Sequence, residues 1–143
     1  MTDPKPDYYR RDQTKGITPP ELSKDCTFAE HIVRARGKRT RFTSVSLDKE
    51  KITDFGPALY FALRPEIETD GHTIIEHSAL MNALRAVATT GEKEDRLRAV
   101  QAQRYATKRK EGLIEWKFDI SRVERKDLYV WSVSRTSPYF KAA

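Results

Sequence analysis

The clearest chemical signal in the sequence is a glutamate within a run of alternating apolar and polar residues. Glu115 lies in this run, whose apolar members are Ile114, Trp116, Phe118 and Ile120. Because strand side chains alternate between two faces, the carboxylate of Glu115 is expected opposite the apolar face. A carboxylate beside a ribose can stabilise the positive charge that develops as a glycosidic bond breaks. An isolated strand glutamate more often faces solvent, so this interpretation needs supporting residues.

Two further segments carry side chains suited to a phosphate-containing sugar. The first is Tyr9-Arg10-Arg11-Asp12, where the Arg10 guanidinium could bind two pyrophosphate oxygens or hold main-chain carbonyls. Arg11 could fill that role instead, or Arg10 could be a surface arginine. The second is Phe42-Thr43-Ser44-Val45-Ser46, which by itself is typical of an ordinary edge strand.

Together and in this order, the three segments resemble motifs of bacterial mono-ADP-ribosyltransferase toxins and effectors, the family of the cholera and pertussis toxin catalytic chains. The segment from Tyr9 to Asp12 resembles the opening tyrosine-arginine-x-aspartate strand of that family. The segment from Phe42 to Ser46 resembles its aromatic, serine-threonine-serine strand, and the strand around Glu115 resembles its catalytic glutamate strand.

The resemblance implies that NAD is the substrate. Because the chain lacks the glycine-rich phosphate loops, NAD would bind without a Rossmann fold. It implies that Arg10 anchors NAD, that Ser44 orders the site near the catalytic glutamate, and that Glu115 is that glutamate. A looser match, Glu30-His31 followed by Arg34 and Gly37, resembles a helical aspartate-histidine-alanine-arginine-glycine piece of cholera toxin. The implied catalytic residues are Glu115, Ser44 and Arg10, and the implied NAD-binding residues are Arg10, Tyr9, His31, Ser44 and Ser46. A lone helical histidine such as His31 is also often a purely structural residue.

The sequence departs from the family at one informative position. Many arginine-modifying members have a second acidic residue two positions before the catalytic glutamate, and Leu113 stands there in this chain. Glu111, four positions before Glu115, is expected on the wrong side of the pleat if the strand already begins there. The acceptor therefore stays open between a protein and a nucleic acid.

Composition excludes several classes of protein and of site. The 143 residues carry a formal net charge of +6, which favours anionic partners such as nucleic acid, nucleotides or an acidic protein surface. Cys26 is the only cysteine, so no intramolecular disulfide can form, and His72 and His77 do not complete a metal-ligand set. No glycine-rich phosphate loop, signal-peptide-like stretch or long apolar run is present. The basic cluster Arg34, Arg36, Lys38, Arg39 and Arg41 could guide a phosphate-rich acceptor or could be a solvated loop.

The order of elements predicts an α+β fold, here a small ADP-ribosyltransferase-like fold with mainly antiparallel sheets and flanking helices. We expect one catalytic domain over residues 1–143, with residues 1–6 as a flexible tail. The predicted elements are a strand over 7–12, a helix over 23–36, a strand over 42–47, a short helix over 48–55, two helices within 74–110 joined at Thr89-Thr90-Gly91, and a hairpin over 114–134.

The sequence thus predicts a monomeric transferase that moves ADP-ribose from NAD to a macromolecule, releases nicotinamide and uses no metal. By the resemblance it would be bacterial, would act in the cytosol of a target cell after secretion or delivery, and would need a cognate immunity protein. Without a long apolar run, no membrane partner is expected. Two alternatives remain open at this point. One is a ribonuclease toxin in which His31 and Glu115 form an acid/base pair. The other is a non-catalytic domain that binds RNA or protein.

Overall fold

The computed structural model describes residues 7–12, 20–34, 39–117 and 139–142. The predicted tail at residues 1–6, Gly37, and the predicted hairpin beyond Lys117 with Trp131 lie outside the described residues. The described strands are β1 (Tyr8–Asp12), β2 (Phe42–Ser46), β3 (Ala58–Ala62), β4 (Thr73–Ile75), β5 (Glu111–Glu115) and β6 (Lys141–Ala142). The described helices are α1 (Phe28–Arg34), a 3-10 helix (Lys49–Phe55), α2 (Arg64–Thr69), α3 (His77–Thr90) and α4 (Lys93–Arg109).

The six described strands form one sheet in the order β4-β5-β2-β1-β3-β6, and every pairing in it is antiparallel. The combination of helices with an antiparallel sheet confirms the predicted α+β class. In the centre of the sheet, β2 pairs with β5 over five positions, from Phe42 with Glu115 to Ser46 with Glu111. This long pairing brings together two segments that are more than sixty residues apart, and it fixes the relative positions of their side chains.

Each face of the sheet carries its own hydrophobic cluster. Helices α1, α3 and α4 cover one face, where Leu113 of β5 packs in a buried cluster. The other members of that cluster are Ala29, Ile32, Phe42, Leu80, Leu84, Ala99, Ala102 and Ala106. On the opposite face Trp116 is fully buried and donates its indole N–H to Thr43 at 2.7 Å. Strand side chains therefore point either towards the helices or towards this second cluster.

The first helix is shorter than its sequence pattern predicts. It begins at Phe28 rather than at residue 23, and Thr27 provides its cap. The Thr27 hydroxyl accepts from the Glu30 N–H at 3.1 Å, and the Glu30 carboxylate accepts from the Thr27 N–H at 3.3 Å. This reciprocal pair is a capping box, and Ser23 instead donates to Glu21. The cap sets where α1 starts and hence which of its residues face the sheet.

The predicted helical region contains two helices joined by a turn, as expected, but it also contains a strand. Ile74 and Ile75 belong to β4, and α3 begins only at His77. In α4 the buried stripe consists of Ala99, Ala102 and Ala106. The larger apolar residues of this helix face outwards instead, since Leu97 is 64% exposed and Val100 is 38% exposed. None of the described helices combines the length and the apolar character needed to span a bilayer.

Candidate active site

A buried chain of polar side chains connects α1, β2 and β5. The Ser44 hydroxyl donates to Glu111 Oε2 at 2.8 Å, and the same Ser44 oxygen lies 2.8 Å from His31 Nε2. The other ring nitrogen of His31, Nδ1, lies 2.6 Å from the Thr40 hydroxyl. Glu111 and His31 are only 2% and 6% exposed. Polar groups so deeply buried are stabilised chiefly by one another, so the cluster has a defined geometry.

The helix and the two strands together determine this arrangement. In β5 the odd-numbered residues Glu111 and Leu113 share the face that the helices cover, and Ser44 lies on that face of the neighbouring strand β2. Glu111 is the first residue of β5 and is paired with Ser46, so Ser44 is its diagonal neighbour. The expectation that Glu111 lies on the wrong side of the pleat is therefore wrong, since residues four apart in a strand share a face.

Arg10 reaches this cluster from β1. Its Nη1 donates to the main-chain oxygen of Ser44 at 2.8 Å, while its Nε and Nη2 bind the two carboxylate oxygens of Asp12 at 3.1 and 3.4 Å. Strand alternation places Arg10 on the face of Tyr8, opposite the Ser44 side chain. The contact is made to a main-chain oxygen, and within the described strands β1 and β2 pair only at Tyr9 with Ser46. The guanidinium thus ties the two strands together beside the serine.

Burial and charge set the protonation of the cluster. Burial raises the pKa of the Glu111 carboxyl, whereas the hydrogen bond from Ser44 and the charges of Arg109 and Arg10 lower it. Burial lowers the pKa of His31 to about 4, and the positive charge of Arg10 acts in the same direction. His31 is therefore neutral near pH 7. A carboxyl whose pKa is raised is a better proton acceptor than an ordinary surface glutamate.

The hydrogen bonds define a directed chain of donors when Glu111 is ionised. The Ser44 hydroxyl has one hydrogen and donates it in a hydrogen bond to the carboxylate. His31 must therefore donate its Nε2–H to the Ser44 oxygen. A neutral imidazole has one N–H, so Nδ1 accepts from the Thr40 hydroxyl. If Glu111 gains a proton, every bond in the chain can reverse. The cluster can therefore hold Glu111 in either protonation state without breaking a contact.

One oxygen of Glu111 is not used by this chain. Glu111 Oε1 is buried and has no hydrogen-bond partner among the described residues. A buried unpaired carboxylate oxygen is unfavourable in a folded protein, and functional sites are where such groups concentrate. Oε1 is thus the acceptor of the cluster that no donor of the described residues satisfies.

The predicted catalytic residue Glu115 does not join this cluster in the contacts of the described residues. It lies on the same face of β5 but at the other end of the strand, paired with Phe42. One carboxylate oxygen of Glu115 binds Lys117 Nζ at 2.8 Å, and the other lies 3.7 Å from Arg41 Nη1. Both ring nitrogens of His31 contact Thr40 and Ser44, so His31 makes no hydrogen bond to Glu115. The structure thus brings together Arg10, Ser44 and His31, but with Glu111.

Ser46 and Tyr9, the other two predicted NAD-binding residues, lie at the pairing of β1 with β2. Ser46 is fully buried, and its hydroxyl contacts the Arg109 and Asp48 main-chain oxygens at 2.5 and 2.9 Å. It also accepts from the Asp48 N–H at 3.0 Å, so it holds the turn after β2. Tyr9 is half-buried and pairs with Ser46 in the sheet. Both residues position the strands that carry Arg10 and Ser44.

The basic cluster near Arg39 is partly neutralised in the described region. Arg39 donates to the Pro20 carbonyl, and Arg41 lies near the carboxylates of Asp25 and Glu115. The other members of the cluster have no described side chains. Among the described residues, no group of three or more histidine, cysteine, aspartate or glutamate side chains is arranged to hold a metal ion.

No family model matches the chain, no curated protein matches its sequence, and no solved structure matches its fold. The functional assignment therefore depends on the residues of this chain and on their geometry.

Proposed function

We propose that this chain is an NAD-dependent mono-ADP-ribosyltransferase that uses Glu111, rather than Glu115, as its catalytic carboxylate. The observation that carries the proposal is the Ser44–Glu111 hydrogen bond of 2.8 Å together with the buried, unpaired Oε1 of Glu111. The resemblance implies a serine that orders the site near the catalytic glutamate, and Ser44 contacts Glu111. In this proposal the fold is a small ADP-ribosyltransferase-like fold.

Each residue of the cluster has a role in breaking the bond between nicotinamide and ribose. Glu111 Oε1 accepts a hydrogen bond from the ribose 2-hydroxyl, and the carboxylate stabilises the positive charge that develops on the sugar. The electron pair of the broken C–N bond leaves with nicotinamide, which departs as a neutral molecule. The acceptor then forms a new bond to the same carbon, and Glu111 takes the proton that the acceptor loses.

The remaining side chains hold Glu111 ready for this chemistry. Ser44 fixes Oε2 and thereby turns Oε1 towards the ligand, while His31 fixes the Ser44 hydroxyl from the other side. Arg10 holds the main chain of Ser44 from the opposite face of the sheet and so positions the serine that contacts Glu111. Because the groups are already hydrogen-bonded before substrate arrives, little rearrangement opposes the reaction.

The biological setting that goes with this function is also a proposal. The protein would be a toxin or effector domain that acts on a protein or nucleic acid in the cytosol of a target cell. The producing bacterium would be protected by an immunity protein. The protein would act as a monomer without a metal.

The purified chain provides the test. Nicotinamide release from NAD is measured with and without cell lysate, and the integrity of added RNA is followed on a gel. The proposal predicts nicotinamide release with intact RNA, and transfer of labelled ADP-ribose to a macromolecule of the lysate. Cleaved RNA without nicotinamide release would show a ribonuclease instead. If neither activity is detected, the non-catalytic binding domain is favoured.

A further inference from the structure

Arg109 has an unusual environment two positions before Glu111. Its guanidinium carbon lies over the Phe55 ring at 4.4 Å from the centroid and over the Tyr105 ring at 5.0 Å. Its side-chain N–H groups make no hydrogen bond or short ion pair with any residue that the structure describes. Contact with aromatic rings fixes the plane of a guanidinium and leaves the N–H groups at its edge available.

Both sequence neighbours of Arg109 are also positively charged. Lys108 and Lys110 flank it, and both are exposed. The charge of Arg109 also acts on Glu111, more strongly than that of Arg10 does. A fixed cation with unused donors therefore stands two residues before the carboxylate at which the acceptor would react.

We propose that Arg109 binds a phosphate of the acceptor and that the acceptor is a nucleic acid. This inference rests on the proposed function, because it names the acceptor class of the same site. Two phosphodiester oxygens match the edge of a guanidinium in geometry and charge. An arginine or lysine side chain of a protein acceptor would instead be repelled by Arg109 as it approached Glu111. Lys108 and Lys110 strengthen the attraction for a polyanion.

Arg109 also has a structural role, which the test must separate. It is the last residue of α4, where a cation interacts favourably with the negative end of the helix. Two substitutions, Arg109→Gln and Arg109→Ala, are compared for this reason, and their thermal unfolding is recorded. Arg104→Ala is the matched control, because Arg104 is an exposed arginine on the same helix.

The experiment measures two rates with the full chain and labelled NAD. One is nicotinamide release in buffer, and the other is ADP-ribose transfer to single-stranded RNA, to duplex DNA and to a protein mixture, each in a separate reaction. The wild type is expected to label RNA or DNA. Both Arg109 variants are expected to lower the ratio of transfer to release by about tenfold, and Arg104→Ala to leave it unchanged. The logarithm of the RNA-binding constant falls with the logarithm of the salt concentration, and in the Arg109 variants the slope of this line should be smaller by roughly one.

Each failure has a distinct meaning. Nicotinamide release with label in protein alone overturns the inference and leaves the proposed function standing. An unchanged ratio in both Arg109 variants overturns it as well. A raised KM for NAD in these variants, with an unchanged ratio, would assign the phosphate to NAD rather than to the acceptor. Absence of nicotinamide release in every reaction would overturn the proposed function and this inference together.

Discussion

The Ser44 hydroxyl lies 2.8 Å from Glu111 Oε2, although 67 residues separate the two in sequence. The antiparallel pairing of β2 with β5 makes this contact, because it sets Ser46 opposite Glu111 and Ser44 one step along the same face. The contact uses one carboxylate oxygen and leaves the other buried and unpaired within the described region. Much of the proposed chemistry follows from this single relationship, and it can be tested from several directions.

Removing the Ser44 hydroxyl should change the pH dependence of the reaction. The hydrogen bond from Ser44 lowers the pKa of Glu111, so in Ser44→Ala that pKa rises further above its ordinary value. At a given pH less Glu111 is then ionised, and the acid limb of the kcat/KM profile should move to higher pH. The profile is measured from nicotinamide release, with Ser78→Ala, an exposed serine of α3, as the control. An acid limb at the wild-type position would contradict the role given to Ser44.

His31 should make the fold less stable in mild acid. The pKa of His31 is lowered to about 4 in the folded protein, below its ordinary value of 6.5. Between these values the unfolded chain binds more protons, so stability is lost as the pH falls. Going from about pH 7 to about pH 5, the wild type should lose about 2 kcal/mol more unfolding free energy than His31→Gln. Urea denaturation at the two pH values measures the difference, and equal losses would show that His31 is not held neutral.

Arg10 should not be replaceable by lysine. Its planar group binds both oxygens of Asp12 and the Ser44 carbonyl at once, which a single ammonium group cannot do. Arg10→Lys should therefore lower kcat/KM for NAD by roughly tenfold to hundredfold. Arg11→Ala is the comparison, because the neighbouring Arg11 donates to the Lys49 carbonyl outside the cluster. A larger loss in the Arg11 variant would show that Arg11 fills the role given to Arg10.

The elements that local patterns specify were predictable. β2 combines an aromatic residue with β-branched and hydroxyl residues, and it lies where that pattern placed it. The turn between α3 and α4 was visible in Thr89-Thr90-Gly91. Strand β4 has only three residues and runs almost directly into α3, so its isoleucines resemble the start of the helix. Helix α4 buries alanines because α3 and α1 pack closely against it, and sequence hydrophobicity favours the larger Leu97 instead.

The candidate site was only partly predictable for a physical reason. Arg10, Ser44 and His31 belong to recognisable motifs, and the structure brings them together. To choose between Glu111 and Glu115, one must know at which residue β5 begins. That residue depends on the left-handed conformation of Lys110, at φ 47°, which ends α4. It also requires the register between β2 and β5, which is a contact between distant segments. The period-two rule alone would have retained Glu111 as a candidate, since it shares a face with Glu115.

The most direct test compares two glutamine variants of the same strand. Glu111→Gln keeps the size of the side chain and removes its charge, and Glu115→Gln does the same four positions away. Nicotinamide release at saturating NAD should fall at least about a hundredfold in Glu111→Gln, because the lost charge stabilises the transition state. It should stay within about twofold of the wild type in Glu115→Gln. Full activity in Glu111→Gln, with loss of activity in Glu115→Gln, would contradict the assignment of Glu111 as the catalytic carboxylate.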